Sequence, residues 1–294
     1  MKYIWTSITG KGSVNRGNQL IEYCLQRILN LPEPALIVDI FGEKFPEDSD
    51  NFDFIINPGS TTLHPDSGNC GAFEALKTKI PVICFGGSVW VTEKMNEKKL
   101  IQIATKMHLP VGCRDPFMCN LLRRNSIEAE LIGCPTLIHD EKNLRGNYIA
   151  FSFGRGNLQI QRDLAIWLSN LRPVKILLHE EYERSCCSEI RAEIISDPRE
   201  FLKIYANADC VITGRLHGAL PSMAIRKPTF FFQAKKHFDS RLTILDYLQL
   251  PIREPSAIRS LDFSQLEYNF EKILQLKKAF TSYAGKFHEN FCTQ

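Results

Sequence analysis

Short apolar runs alternate along this chain with stretches in which apolar residues return every three or four positions, and the alternation persists from one end to the other. Apolar runs at residues 2–8, 35–41, 52–57, 81–85, 110–113 and 129–132 are bounded by Gly, Pro or Asn, the punctuation expected at strand ends. Between them, Ile21, Cys24, Leu25 and Ile28 fall on one helical face, as do Leu100, Ile103, Ala104 and Met107. Continuous apolar runs read as strands buried on both faces. Helices between such strands are the crossovers of a parallel sheet.

The pattern restarts after residue 135. Residues 135–147 are more polar, with His139-Asp140-Glu141-Lys142-Asn143 and then Arg145-Gly146-Asn147, and read as a linker. Beyond it, 148–153, 174–178, 211–213 and 229–232 read as strands. Leu164, Trp167, Leu168 and Leu171 mark a helix, and Leu266, Phe270, Ile273 and Leu274 a closing one. The predicted organisation is two Rossmann-like α/β domains, 1–135 and 136–294, facing across a cleft, with the last helix free to pack back on the first domain. Ligands of open parallel sheets bind beyond the carboxyl ends of the strands, so the loops that follow strands are where chemistry is expected.

Composition narrows the function classes. The 294 residues carry 36 basic and 33 acidic side chains, a net charge of +3 that gives no support to nucleic-acid binding. No apolar run approaches the roughly 20 residues of a membrane span, and residues 1–8 lack the layout of a signal peptide. The expectation is a cytosolic protein, working at most on the inner face of the membrane. Ten cysteines show no paired C-x-x-C spacing, so neither zinc nor any other metal is expected, and Cys186-Cys187 read as two reduced thiols on a helix. Trp90 and Phe117 are the aromatics that a homo-oligomer contact would use, although core packing is the commoner fate.

The most informative stretch is 211–226, VITGRLHGALPSMAIR. A buried strand meets Gly214, and Arg215 and His217 then head an apolar helix. A helix N-terminus favours anions. Arg adds a fork matched to carboxylate or phosphate, and His moves a proton near neutral pH. Such a turn suits an acidic substrate whose chemistry needs a proton. An ion-paired Arg beside a structural His fits these residues equally well.

Other strand-to-helix turns repeat the theme. Arg114 follows the strand at 110–113, where a plain Arg114–Asp115 pair fixing the helix start is the slightly favoured reading. Arg155 sits in Gly154-Arg155-Gly156-Asn157, and Arg241 in the basic loop Lys235 to Arg241. His179-Glu180-Glu181 reads as a solvated acidic strand end. In the first half, the glycine-rich loop before the first helix offers Asn15 and Asn18, with Asn18 able to cap that helix. The turn after the strand at 52–57 offers the hydroxyls of Ser60 and Thr61 to a sugar.

These pieces together resemble the polysaccharide pyruvyl transferase family. Thr213-Gly214-Arg215-Leu216-His217-Gly218-Ala219 is similar to the family's Arg-Leu-His motif. Gly112-Cys113-Arg114-Asp115, Gly133-Cys134-Pro135-Thr136-Leu137 and Phe238-Asp239-Ser240-Arg241-Leu242 resemble further family segments. Asn57-Pro58-Gly59-Ser60, Gln19 and Cys134 depart from the family pattern, mostly in the first half, which bears on the acceptor more than on the reaction. The resemblance implies a fold like that of two-domain (GT-B type) glycosyltransferases. It also implies phosphoenolpyruvate as co-substrate without another cofactor, and a sugar acceptor, free or carried on a nucleotide or lipid. Under it, His217 and Arg215 are catalytic. Arg215, Leu216, Gly214, Arg114, Arg155 and Arg241 meet the donor in the second domain, and Asn15, Asn18, Ser60 and Thr61 meet the acceptor in the first. The alternatives are a nucleotide-sugar glycosyltransferase, with Glu180 as the acid that grips the ribose, and a non-catalytic sugar- or anion-binding protein.

Overall fold

A computed structural model of the chain describes residues 1–7, 9, 15–39, 48–60, 78–91, 97–233, 238–260 and 266–292. Thr61, residues 10–14 and the cluster Lys235-Lys236-His237 lie outside the described residues. Among the described residues, twelve strands form two six-stranded sheets, all paired parallel. The first holds β1 (Tyr3–Ser7), β2 (Leu36–Asp39), β3 (Phe54–Asn57), β4 (Val82–Gly87), β5 (Val111–Cys113) and β6 (Ala129–Leu131), in the order β2-β1-β3-β4-β5-β6. The second holds β7 (Ile149–Ser152), β8 (Val174–Leu177), β9 (Ala192–Ile195), β10 (Cys210–Thr213), β11 (Thr229–Phe232) and β12 (Ile252–Arg253), in the order β12-β11-β10-β7-β8-β9. Counted within itself, the second sheet has the doubly wound Rossmann order, with its switch point between β7 and β10.

The α-helices among the described residues are α1 (Arg16–Leu29), α2 (Glu97–Ala104), α3 (Pro116–Arg124), α4 (Leu158–Leu171), α5 (Pro198–Ala206), α6 (Leu216–Ala224), α7 (Thr243–Tyr247) and α8 (Phe270–Phe291). Their starts are written locally. Asn15, Asp115, Asn157, Asp197 and Asn269 each accept hydrogen bonds from first-turn N–H groups, and Pro116 and Pro198 occupy first turns where no donor is lost. No helix among the described residues is long and apolar enough to cross a membrane.

Two helices bind the halves together. From α1, Leu25 and Leu29 pack with Tyr3, Trp5 and Phe54 of the first sheet, while Leu20 and Cys24 pack with Ala150, Phe201 and Val211 of the second half. The last helix, α8, returns to the first half, where Phe280, Tyr283 and Phe287 cluster around Phe85 and Phe54. The Tyr283 hydroxyl donates to the Pro110 carbonyl at 2.8 Å, and Lys286 pairs with Glu130 at 2.6 Å.

Several sequence expectations change. Strands β9 and β12 and helix α5 are additions, the two strands being short edges of the second sheet. Leu274 is exposed, and the buried face of α8 runs instead through Ile273, Leu276, Phe280 and Phe287. The start of the linker, Pro135–Leu137, is a buried 3-10 turn that shares a core with α6 and α8. Cys186 and Cys187 lie in a 3-10 turn, Glu181–Cys187. Nine cysteines among the described residues are free thiols.

Phe287 contacts aromatic rings from β3 and β4, so Phe287→Ala opens a cavity where α8 meets the first sheet. The expected cost is about 3–5 kcal/mol, read as a lowered midpoint in urea denaturation.

Candidate active site

Parallel pairing puts the carboxyl ends of all strands in a sheet on one edge, and the two edges meet at a seam. At the switch point of the second sheet, Gly154 follows β7 and Gly214 follows β10. A Cβ at Gly214 would lie 2.4 Å from the Gly154 Cα, and only two glycines allow this approach. The crossing sends Arg155 and Arg215 off neighbouring turns.

Arg215 caps α6 and is buried, with its side chain fully engaged. Its Nε donates to the Phe153 carbonyl at 2.9 Å, Nη1 to Glu180 at 2.7 Å, and Nη2 to Glu183 and to the Tyr182 hydroxyl. Burial opposes the charge, and Glu183 and Glu180 more than offset it, so the guanidinium pKa rises above its ordinary value. Glu183 also accepts from the backbone of His179 at 2.7 Å and of Glu180 at 3.2 Å. The reading of 179–181 as a solvated acidic end is therefore corrected: His179 and Glu183 are buried, and Glu180 is committed to Arg215. Glu181 reaches across the seam to Arg16 at 2.8 Å, and the Arg16 backbone N–H donates to the His179 carbonyl at 2.8 Å.

His217 sits in the first turn of α6. Pro221, four residues on, has no N–H to give the His217 carbonyl. The first turn of α1 covers the imidazole, since a Cβ at Gly17 would lie 2.3 Å from Nδ1. On the other side, Nε2 is enclosed and has no hydrogen-bond partner among the described residues. Burial, then the charges of Arg114, Arg215, Arg241 and Arg155, push this imidazole well below the usual histidine range. The charges of four guanidinium groups from separate loops thus act on one neutral ring.

The four are compensated unequally. Arg241 forms a two-pronged pair with Asp239, with Nε to Oδ1 at 2.7 Å. Arg155 lies with its guanidinium carbon 5.4 Å from the Trp90 ring centre. Arg114 is 1% exposed, yet its Nε and Nη2 have no hydrogen-bond partner among the described residues. Asp115 does not supply one: its oxygens accept from the Met118 N–H at 3.0 Å and the Ser88 hydroxyl at 2.6 Å. Asp115 alone fixes the start of α3, which corrects the favoured Arg114–Asp115 reading. Burial lowers the Arg114 pKa, with Asp115 the largest opposing charge. A guanidinium remains charged in such a place. Two buried, unpaired donors on a cation form a socket for an anion.

The remaining sequence-predicted residues divide. Gly214 makes the glycine crossing, and Leu216 turns its side chain into the core beside α6. Asn15 is used in capping α1 through Gly17 and Asn18 N–H groups. Asn18 and Ser60 meet at the first sheet's switch point, with the Ser60 hydroxyl donating to Asn18 Oδ1 at 3.3 Å. Sequence reasoning missed Glu183 and the place of Trp90, whose ring lies at the seam against Arg155 and Arg241. No cluster of metal-binding side chains occurs among the described residues.

Comparison with known proteins places this geometry. The sequence profile described as polysaccharide pyruvyl transferase matches residues 15–234, most of the chain. No curated protein sequence matches it. Among solved structures, S. aureus MnaA with UDP covers 99% of this chain and 97% of its own, at TM-score 0.59 and 11% identity. The Neisseria meningitidis UDP-GlcNAc 2-epimerase bound to UDP-GlcNAc covers 100% of each chain, at 0.58 and 12%. That from Methanocaldococcus jannaschii with UDP-GlcNAc and UDP covers 94% of this chain and 99% of its own, at 0.57 and 12%. At such identities the likeness is one of fold, two Rossmann-like units of the GT-B type facing across a cleft.

The two buried arginines should respond oppositely to loss of charge. Arg215→Met strands Glu183 and costs about 3–5 kcal/mol. Arg114→Met removes an uncompensated buried cation, so the ligand-free protein is expected to be at least as stable as the parent in urea. The parent is expected to gain about 2.7 kcal/mol from inorganic phosphate at 100 times Kd, and Arg114→Met to gain none.

Proposed function

The chain belongs to the polysaccharide pyruvyl transferase family, and on that premise we propose that it transfers pyruvate from phosphoenolpyruvate to a sugar, forming a ketal and releasing phosphate. The observation that carries this reading is the buried Arg114, two of whose donors have no partner among the described residues, together with the likewise unpartnered Nε2 of His217, a ring on which the Arg114 charge acts. Phosphoenolpyruvate is a small, dense anion with a phosphate and a carboxylate, and it offers the acceptor oxygens that Arg114 lacks. Arg155 and Arg241 stand close enough to act on the same charge. Arg215, held by two carboxylates, serves by fixing the turn that aims His217.

The chemistry needs a proton at the methylene carbon of the donor while a sugar hydroxyl adds to the neighbouring carbon. Phosphate then leaves with its bridging oxygen, and a second hydroxyl of the sugar closes the ketal on the same carbon. Two hydroxyl protons are released; one is balanced by the new methyl group and one by the departing phosphate. His217 is the group placed to pass these protons. In the free protein its imidazole is neutral, because burial and four cations oppose a fifth charge. An anion seated on Arg114 reverses the sign of the nearest charge and raises the pKa. Substrate binding therefore charges the acid that the reaction uses. The acceptor is assigned to the first half, where Asn18 and Ser60 meet at the switch point. Thr61 is proposed with them from the sequence alone. The acceptor reaches the protein as a free, nucleotide-linked or lipid-linked sugar.

A nucleotide-sugar donor is less well served. Glu180, the acid that would hold its ribose, is already paired with Arg215 at 2.7 Å.

The direct test is thermal unfolding and phosphate release with phosphoenolpyruvate, UDP or no ligand. Stabilisation by phosphoenolpyruvate that vanishes in Arg114→Met supports the reading; a shift with UDP alone, and none with phosphoenolpyruvate, sinks it. With acceptor present, His217→Ala should lose turnover by about 10²–10⁴-fold while keeping its donor affinity within a few fold.

Proton linkage supplies a second check. His217 has a depressed pKa in the free state and a raised one in the complex, so binding takes up protons and affinity falls as pH rises through the pKa of the complex. Calorimetry in buffers of different ionisation heat should show that uptake in the parent and not in His217→Ala. Equal uptake by both proteins removes the assignment.

A further inference from the structure

The end of β4 and the loop after it connect three of the site's arginines to one another. The Gly87 carbonyl accepts the Arg114 backbone N–H at 2.8 Å, and the Ser88 hydroxyl donates to Asp115 at 2.6 Å. The Ser240 hydroxyl donates to the Val89 carbonyl at 2.6 Å and accepts from the Val91 N–H at 3.1 Å. Ser240 lies between Asp239 and Arg241, so these two bonds cross the seam and clip the loop to the second half. At the tip stands Trp90, 38% exposed. Its ring centre is 4.9 Å from the Arg241 guanidinium carbon and 5.4 Å from that of Arg155. One indole of the first half thus contacts two cations of the second. Tryptophan is the strongest aromatic partner for a guanidinium, and the ring holds an arginine in place without neutralising it.

That distinction matters at this site. A carboxylate in the place of Trp90 would compete with the substrate for the arginines, as Glu180 and Glu183 do for Arg215. An indole restrains Arg155 and leaves its charge available, and it holds Arg241, already paired with Asp239, without adding a second carboxylate. We propose that Trp90 is a positioning residue, by which the first half sets Arg155 and Arg241 of the second toward the donor anion. The inference rests on the anion reading given under Proposed function. It adds that closure of the seam and affinity for the anion are coupled through one side chain.

The test uses the full chain and two variants, Trp90→Phe and Trp90→Leu, with phosphoenolpyruvate and inorganic phosphate as probes. In the parent, intrinsic fluorescence should change saturably with either anion. Trp90→Phe should lose that change while keeping affinity within about threefold, because a phenyl ring still receives a guanidinium. Trp90→Leu should raise KM for phosphoenolpyruvate roughly tenfold, with kcat within about threefold and an unchanged urea midpoint. Parent-like anion affinity by calorimetry in Trp90→Leu overturns the proposal. Should that variant fail to fold, a fluorescence response persisting in Trp90→Phe overturns it instead, since the signal would then come from Trp5 or Trp167. A parent that binds neither anion defeats the underlying reading first, and the calorimetry separates that result from a failure at Trp90 alone.

Discussion

Like charges crowded at the seam govern the rest of this structure. Arg114, Arg155, Arg215 and Arg241 come from four loops on two sheet edges and act on the same imidazole. Uncompensated, their repulsion would push the halves apart. The chain answers each one differently. Arg215 receives two carboxylates, Arg241 receives Asp239, and Arg155 receives the face of an indole. Arg114 has no partner among the described residues for two of its donors. Buried polar groups elsewhere are paired at some cost in sequence freedom, so an unpaired buried cation is a conspicuous exception. The free protein tolerates this strain because α1 and α8 bury apolar surface across both halves. Stability built at one place thus sustains an unfavourable charge at another, the usual relation between scaffold and site.

The same crowding explains the state of His217. Histidine is useful near neutral pH because small changes in surroundings move its proton. Here burial and the surrounding arginines favour the neutral ring. Gly17 contributes by omission: any side chain there would occupy the space of Nδ1. The first half therefore shapes a group that the second half carries, and the imidazole is oriented only when the two are packed together.

Much of the fold is legible in the sequence because strands buried on both faces leave unmistakable apolar runs. Residues 52–57, 129–132 and 229–232 show this, and their strands fall within a residue or two of the runs. The edges are less legible. β9 reads Ala-Glu-Ile-Ile with two exposed positions, and β12 has two residues, so neither carries the periodicity of a buried strand. The site divides along the same line. Arg215 and His217 stand out because a strand, a glycine and a helix start are local signals. The carboxylates that hold Arg215 lie more than thirty positions earlier, and no local pattern in Glu180 or Glu183 says which cation they meet. Nothing local to Trp90 tells the sequence its neighbours, which come from the other half of the chain. Arg114 is hard to read for a plain reason: Asp115 beside it looks like a partner, whereas its oxygens are taken by the helix start and by Ser88.

The Arg-Leu-His spacing then acquires a physical sense. At the start of a helix, consecutive side chains fan around the axis, so three neighbours face three environments. Arg215, at the cap, turns back under the second sheet edge to its carboxylates. Leu216 turns into the core beside α6. His217 is left facing the seam, Arg114 and the first turn of α1. The two readings open to the sequence, an ion-paired arginine and a functional anion site, are therefore not rivals. The arginine is the ion-paired one, and its rigidity is what keeps the histidine aimed. On the proposed function, an arginine free to seize the substrate would leave the turn unanchored, and the proton donor would wander by the ångström that costs orders of magnitude in rate. The same division of labour leaves anion capture to Arg114, on the other half, so that a ligand bridging Arg114 and His217 would hold both sheet edges at once.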